Sequence, residues 1–342
     1  MVTIKDISEA CGVSVGTVSK ALNGYRDVSE KTAKRVRAMA EKLHYQPNAA
    51  ARQLKTQVSH NIGVLFIDET ACGLTHEYFS EILNSAKSEA ERLGYDITFI
   101  SQNIGGKKTS FLEHARYRRC DGVLIASVDF HSRAVQELAY SDIPTVSIDF
   151  MYNGRSSVMS DNVEGEYHLT KYLLDRGHTR IAFIHGETTS VTDKRLAGFH
   201  RACEEAGIEV PAEYLVKARY HDIELCREAT KQLLDLEDPP TAILYPDDFS
   251  YIGGRQVLGE RNIRIPEDIS VAGYDGIRIA QSFNPKLTTY YQNTQELGVQ
   301  SVRKLVDAIE NPKTCLAEQI MIKGKVLEGN TVKVLKKQEV SK

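Results

Sequence analysis

Asp68, Asp149, Asp247 and Asp275 each stand at or just past the end of a short apolar run, and Ser127 closes another. Oxygen-bearing side chains therefore recur at equivalent places along the chain. Carboxylates accept hydrogen bonds from hydroxyl and amino groups, and an arginine offers a planar fork of donors. Arg195 supplies such a fork, near the start of a helical stretch that follows Ile181-Ala182-Phe183-Ile184. Together these groups have the chemistry to hold a small neutral polyol such as a sugar. Asp161 and Gln292 are further polar residues placed to face the same ligand, although any single aspartate here also suits a helix cap or a turn. Paired acids serve glycoside hydrolysis too, but the chain lacks the usual catalytic signatures. There is no Gly-x-Gly-x-x-Gly after a strand, no His-Glu-x-x-His and no nucleophile elbow. Gly105-Gly106-Lys107-Lys108-Thr109 misses the phosphate-loop spacing, because Ser101 stands where the first glycine belongs. The expectation is a binding protein with no catalytic residue, no metal and no cofactor.

The elements that must position these residues alternate. Ile62-Gly63-Val64-Leu65-Phe66, Ile97-Thr98-Phe99-Ile100, Gly122-Val123-Leu124-Ile125-Ala126, Thr145-Val146-Ser147-Ile148, Ile181 to Ile184, Ala242-Ile243-Leu244-Tyr245 and Ile269-Ser270-Val271-Ala272 read as buried strands, and helical stretches such as residues 78–93 lie between them. This is the pattern of parallel sheets covered on both faces. Residues 61–334 are too many for one common core, so two lobes with a cleft between them are expected, with ligand beyond the carboxyl ends of the strands.

Residues 1–46 read differently. Thr3 precedes apolar positions 4, 7 and 10, Gly12 breaks the helix, Ser14 caps a second helix that ends at Asn23-Gly24, and Ser29 starts a third. Helix, glycine-containing turn and helix make a helix-turn-helix, whose second helix enters the DNA major groove. Val15, Gly16 and Lys20 then fall at base edges, Val15 exposed and aimed at a thymine methyl and Lys20 at a guanine edge, while Ser14, Thr17 and Ser19 offer hydroxyls to phosphates. The charge agrees. The whole chain of 342 residues carries −3, yet residues 1–60 hold ten Lys and Arg against five Asp and Glu, a net of +5 on a body of −8. Residues 47–58, starting Pro47-Asn48-Ala49-Ala50-Ala51, form an alanine-rich hinge too short to be a stable helix alone. It is expected to fold when two copies meet on DNA and to present Leu54.

These residues resemble the lac repressor and galactose repressor family. The resemblance runs through Ile4-Lys5-Asp6-Ile7, Gly12-Val13-Ser14, Thr17-Val18-Ser19, Leu22-Asn23, Val28-Ser29, Tyr45-x-Pro47-Asn48 and Ala51-x-x-Leu54. It continues in Gly177-His178-x-x-Ile181, Arg195-x-Ala197-Gly198-Phe199, Asp268-Ile269-Ser270-Val271-x-Gly273-Tyr274-Asp275 and Pro285-x-Leu287-Thr288-Thr289. The resemblance implies an all-α helix-turn-helix head on an α/β, periplasmic-binding-protein-like body whose chain crosses between lobes three times. It adds Asn23, Ala51, Leu54 and Lys55 to the DNA-facing set, with Leu54 wedged into a minor-groove step. It also makes Tyr78 and Phe79 the aromatic position of the cleft and Arg195 the ligand's arginine. The implied function is a homodimeric repressor that reads a pseudo-palindromic DNA operator and responds to a sugar. A purine- or nucleoside-responsive regulator and a sugar receptor without DNA function are the alternatives. The polar tail, residues 335–342, lacks the apolar heptads of a tetramerising coiled coil, so a dimer is expected. Six scattered cysteines without metal spacing, no 18-residue apolar run and no leader pattern point to a cytoplasmic protein away from membranes.

Overall fold

The computed structural model describes residues 2–25, 27–45, 58–67 and 73–335. Two units separate by their internal contacts, Met1–Ser59 and His60–Lys342. Ala51, Leu54, Lys55 and Asp68 lie outside the described residues.

In the first unit, α1 (Ile4–Cys11) starts at a reciprocal cap: the Asp6 amide donates to the Thr3 hydroxyl at 3.4 Å, and the Thr3 amide donates to the Asp6 carboxylate at 2.7 Å. Gly12 ends it in the left-handed region at φ +63°. Helix α2 (Val15–Leu22) is capped by Ser14, which accepts from the Thr17 amide at 3.1 Å, and α3 (Glu30–Lys42) by Ser29. Ile7, Cys11, Val18, Ala21, Ala33, Val36 and Ala40 close one small core.

The second unit runs β1 (Asn61–Leu65), α4 (Glu77–Arg92), β2 (Asp96–Phe99), a hairpin of β3 (Asn103–Ile104) and β4 (Lys107–Lys108), α5 (Phe111–Tyr117), β5 (Gly122–Ile125), α6 (Arg133–Ala139), β6 (Thr145–Ile148) and β7 (Ser156–Ser160). It continues through α7 (Asn162–Leu174), β8 (Ile181–His185), α8 (Ser190–Glu205), β9 (Leu215–Lys217), α9 (Ile223–Leu234), β10 (Ala242–Leu244), α10 (Tyr251–Glu260), β11 (Ser270–Asp275), α11 (Arg278–Gln281) and β12 (Thr288–Tyr291). Helix α12 (Thr294–Glu310), β13 (Gln319–Ile322) and β14 (Lys325–Leu327) finish it. One sheet has the order β13-β7-β6-β5-β1-β2 and the other β14-β12-β11-β10-β8-β9, all parallel save β14 against β12. The chain passes between the sheets after β7, after β12 and between β13 and β14.

Alternate residues of each strand serve opposite faces, which is why apolar runs were needed. Ile62, Val64 and Leu124 join one core while Leu65, Val123 and Ile125 join another, and the second sheet divides Ala182 and Ile184 from Ile181 and Phe183 in the same way. Strand β7, Ser156-Ser157-Val158-Met159-Ser160, is wholly buried despite three serines, so no apolar run announces it. Strands β9, β12, β13 and β14 and the hairpin were likewise absent from the expected set. Among the described residues no helix is long and apolar enough to cross a membrane.

Close packing of α7 on α8 depends on Gly198. A Cβ there would stand 2.2 Å from the Val163 carbonyl oxygen and 2.9 Å from the Tyr167 amide nitrogen, both backbone atoms. Gly198→Ala should therefore lower stability by about 1–3 kcal/mol or more through overpacking, outweighing a helix-propensity gain of about 1 kcal/mol. The measurement is urea unfolding of the full chain, where the midpoint falls at unchanged slope; a stabilised variant would show that the two helices separate freely.

Candidate functional site

A cavity of about 530 Å³ lies between the two lobes, at the carboxyl ends of both sheets. The first lobe supplies His76, Tyr78 and Phe79 from the start of α4, Ser127 to His131 after β5, and Asp149 and Phe150 after β6. The second supplies Glu187 to Val191 after β8, Arg195 on α8, Tyr220 and His221 after β9, Asp247 after β10 and Asp275 at the end of β11; Gln292 sits on the second crossing. Tyr78, Phe79, Ser127, Asp149, Arg195, Asp247, Asp275 and Gln292, all singled out from the sequence, are thus gathered in one place.

Arg195 is 4% exposed. Its Nε donates to Asn162 Oδ1 at 2.9 Å and one terminal nitrogen to the Pro246 carbonyl at 2.7 Å, while the guanidinium lies 3.5 Å from the Tyr274 ring centroid. The other terminal nitrogen makes no hydrogen bond to a described residue. Asp275 accepts from Gln292 Nε2 at 2.6 Å through one oxygen only. Burial pushes its carboxyl up to about 8, with Arg195 opposing and Asp247 reinforcing the shift. Asp149 accepts from the Ser160 amide at 3.2 Å and the Tyr78 hydroxyl at 3.1 Å, and burial raises it as well. Aromatic rings line the remaining wall, with Phe130 stacked on Phe150 at 4.7 Å and Phe79 edge-on to His76 and Tyr78.

Asp247 reaches the cavity, but its carboxylate is already an internal bracket: it accepts from the His221 amide at 2.8 Å and from the Ser250 amide and hydroxyl at 2.7 and 2.8 Å. Asp161 is a correction. It caps α7, accepting from the Glu164 amide at 3.3 Å, and does not line the cavity. Sequence reading missed Phe130, Phe150, Thr189, Ser190, Tyr220 and His221. The strand-end rule, applied after β8, would have found Thr189 and Ser190. Tyr220 and His221 follow a three-residue strand that leaves no periodic signal. Asp248 was also missed; fully buried, it holds the Gly276 and Ile277 amides at 2.8 and 3.0 Å and the Thr289 hydroxyl at 2.7 Å, fixing the turn after Asp275.

In the first unit, Val15 is 47% exposed and Gly16 is also exposed, at the start of α2. The Ser14 and Thr17 hydroxyls bond each other at 2.9 Å, and the Asn23 amide bonds back to the Ser19 carbonyl at 2.7 Å. The Lys20 ammonium is ion-paired with Asp27, so its expected reach toward a base requires exchanging that partner. Tyr25, 55% exposed, was not anticipated.

Glu166 on α7 is 1% exposed, and burial pushes its carboxyl up to about 8. For Glu166 and Asp275 the folded value lies above the unfolded one. Between pH 4.5 and 8 the folded state therefore holds more protons than the unfolded state, and stability falls as pH rises, by at most about 1.4 kcal/mol per pH unit for each group. The melting temperature of the ligand-free protein should drop from pH 5.5 to 8, and Glu166→Gln should flatten that slope and raise stability at pH 8. A melting temperature that climbs over this range, unaffected by the substitution, would contradict the assignment.

Comparison with known proteins gives the same two parts. Residues 3–48 match the family model described as Bacterial regulatory proteins, lacI family, and residues 170–332 match Periplasmic binding protein-like domain. A repressor of Vibrio atlanticus (strain LGP32), "HTH-type transcriptional repressor PurR", is 33% identical over 98% of this chain and 100% of its own length. One of the same name from Mannheimia succiniciproducens is 34% identical over 97% of this chain and 99% of its own. Among solved structures, the lac repressor dimer bound to operator and the anti-inducer ONPF superposes with a TM-score of 0.80 at 27% identity, covering 97% of this chain and 99% of that one. A family regulator from Enterococcus faecium with bound ribose gives 0.69 at 25% identity, covering 81% and 100%. With an identity of a third sustained along nearly its whole length, the chain belongs to the lacI family of DNA-binding bacterial regulators.

Proposed function

We propose that this regulator is a homodimeric repressor whose cleft takes a purine base or its nucleoside. The observation that carries the reading is the pairing in one cavity of a buried arginine with donors to spare and a carboxylate with one open oxygen, between aromatic walls. A flat heterocycle with a keto or ring-nitrogen acceptor and an N–H donor on its edge satisfies both groups while its faces meet the rings. The expected sugar fits less well. Each oxygen of Asp149 and of Asp247 already accepts at least one protein donor, which leaves fewer acceptor sites there for sugar hydroxyls. Long relatives named PurR support the same choice. Three carboxylates, Asp149, Asp247 and Asp275, gathered around Arg195 also disfavour a phosphorylated ligand. A sugar remains the second reading, favoured by the ribose held by the Enterococcus faecium regulator.

The head supplies the DNA contacts: Val15, Gly16 and Lys20 toward bases, Ser14, Thr17, Ser19 and Asn23 toward phosphates, and Ala51, Leu54 and Lys55 from the hinge. Two heads read two half-sites related by the dimer axis. Ligand and operator affinities are then coupled reciprocally through lobe rotation.

A thermal-shift screen of purine bases, nucleosides, pentoses and disaccharides is the direct test. The true effector at a hundredfold excess over its Kd should add about 2.7 kcal/mol; stabilisation by sugars alone would overturn the purine reading. Arg195→Met should weaken that ligand by about 1.5–3 kcal/mol while leaving ligand-free operator binding within threefold. Because a ligand N–H needs Asp275 as carboxylate, affinity should rise with pH up to about 8, by at most tenfold per unit, and then level off. Asp275→Asn should abolish the rise.

A further inference from the structure

Two of the three lobe crossings carry a buried amide side chain, and each amide grips one of the cavity charges with capacity left for a ligand. At the first crossing Asn162, 1% exposed, accepts from Arg195 Nε at 2.9 Å and donates to the Ser160 carbonyl at 3.2 Å. Ser160 is the last residue of β7 in the first lobe, and its amide bonds Asp149 of that same lobe, so the Asn162 side chain joins Arg195 of the second lobe to the end of the first. At the second crossing Gln292, 2% exposed, donates to Asp275, and the Tyr78 hydroxyl of the first lobe lies 3.4 Å from its oxygen. The Asp161 amide, between Ser160 and Asn162, bonds the Ile322 carbonyl at 3.0 Å, tying the first crossing to the strand that begins the third.

We propose that Asn162 is a positioning residue that aims the Arg195 guanidinium into the cleft and ties it to the lobe crossing, so that ligand contact on Arg195 is felt as a change in lobe angle; Gln292 does the same for Asp275. Asn162 does not line the cavity, so it acts only through Arg195. Its chemistry is specific. An aliphatic residue would leave the Nε–H unsatisfied inside the protein, where water cannot replace the lost acceptor. A carboxylate would keep the arginine but lose the donor to Ser160 and face its carbonyl with like partial charge. The two hydrogen bonds of Asn162 are thus separable: Asp keeps the aim and breaks the tie, whereas Ala removes both.

This inference rests on reading the cleft as an effector site, though not on which effector fills it. The test uses the full-length protein, a selected operator duplex, and guanine as first probe, followed by guanosine, ribose and cellobiose. Asn162→Ala should bind the probe at least tenfold more weakly and Asn162→Asp within threefold of wild type. In both, the ratio of operator affinities with and without saturating probe should shrink at least fivefold toward unity, with probe-free operator affinity within threefold. An unchanged ratio in both variants overturns the tie. Independently of any probe, the Arg195 Nε–H signal in 15N-arginine-labelled protein should exchange slowly in wild type and Asn162→Asp and fast in Asn162→Ala; equal exchange in all three overturns the aim. Failure of the effector reading shows separately, as a wild-type protein that none of the four probes stabilises, and the exchange measurement then decides the positioning role alone. Should Asn162→Ala not fold, Asn162→Asp still reports on the tie, and fast Arg195 Nε–H exchange in Asn162→Asp, which keeps the acceptor, would overturn the aim.

Discussion

A full positive charge buried in the second lobe is the constraint from which the cleft is built. An arginine that is 4% exposed cannot shed its proton, so its neighbours must replace water. Asn162 and the Pro246 carbonyl take two of its hydrogen-bonding directions, and the Tyr274 ring takes the face of the guanidinium. That ring fits only because residue 165 is glycine: a Cβ there would stand 2.2 Å from the Tyr274 hydroxyl oxygen. Glu166, one turn along α7 from Asn162, adds a buried carboxyl to the same surroundings. The other terminal nitrogen of Arg195 makes no hydrogen bond to a described residue, and the residue lines the cavity. Recognition is the part of the desolvation problem that the protein leaves to its ligand.

The parallel sheets make this arrangement possible. Each strand delivers its polar residue to the same edge, and the two edges face one another across a gap that three chain segments span. Residues from seven separate loops therefore converge without long insertions. Two of the three segments that join the lobes also carry the side chains that hold Arg195 and Asp275. In such a layout a ligand that binds one lobe angle better than another shifts the population by its difference in affinity, and no further device is required.

Much of this was legible in the sequence. Strands with apolar residues on both faces, β1, β5, β6, β8, β10 and β11, announce themselves, and the ends of β5, β6, β10 and β11 locate Ser127, Asp149, Asp247 and Asp275. Arg195 and the aromatic pair Tyr78 and Phe79 came with the family resemblance. Three kinds of feature stayed hidden. Strand β7 buries serines whose surroundings only the fold supplies, and β9 is too short for periodicity. Asp161 looks like the other aspartates but spends its carboxylate on a helix start, accepting from the Glu164 amide. Asn162 and Asp248 act through other residues, and neither spacing nor hydropathy marks a side chain whose whole role is to hold another.

The sugar expectation stands second to the purine reading for a related reason. An inventory of aspartates counts acceptors, but a carboxylate offers a ligand only what the protein has not already used. Asp149 and Asp247 look alike in sequence to Asp275, and all three reach the cavity. Tyr78 and Ser160 engage the first, His221 and Ser250 the second, and only the third keeps an oxygen open beside an arginine with a nitrogen open. On the proposed purine reading, one donor group and one acceptor group, both at buried residues, meet a rigid ligand whose edge carries the opposite pair. A sugar ring would present only some of its hydroxyls there and leave others against aromatic rings, where their hydrogen bonds go unmade.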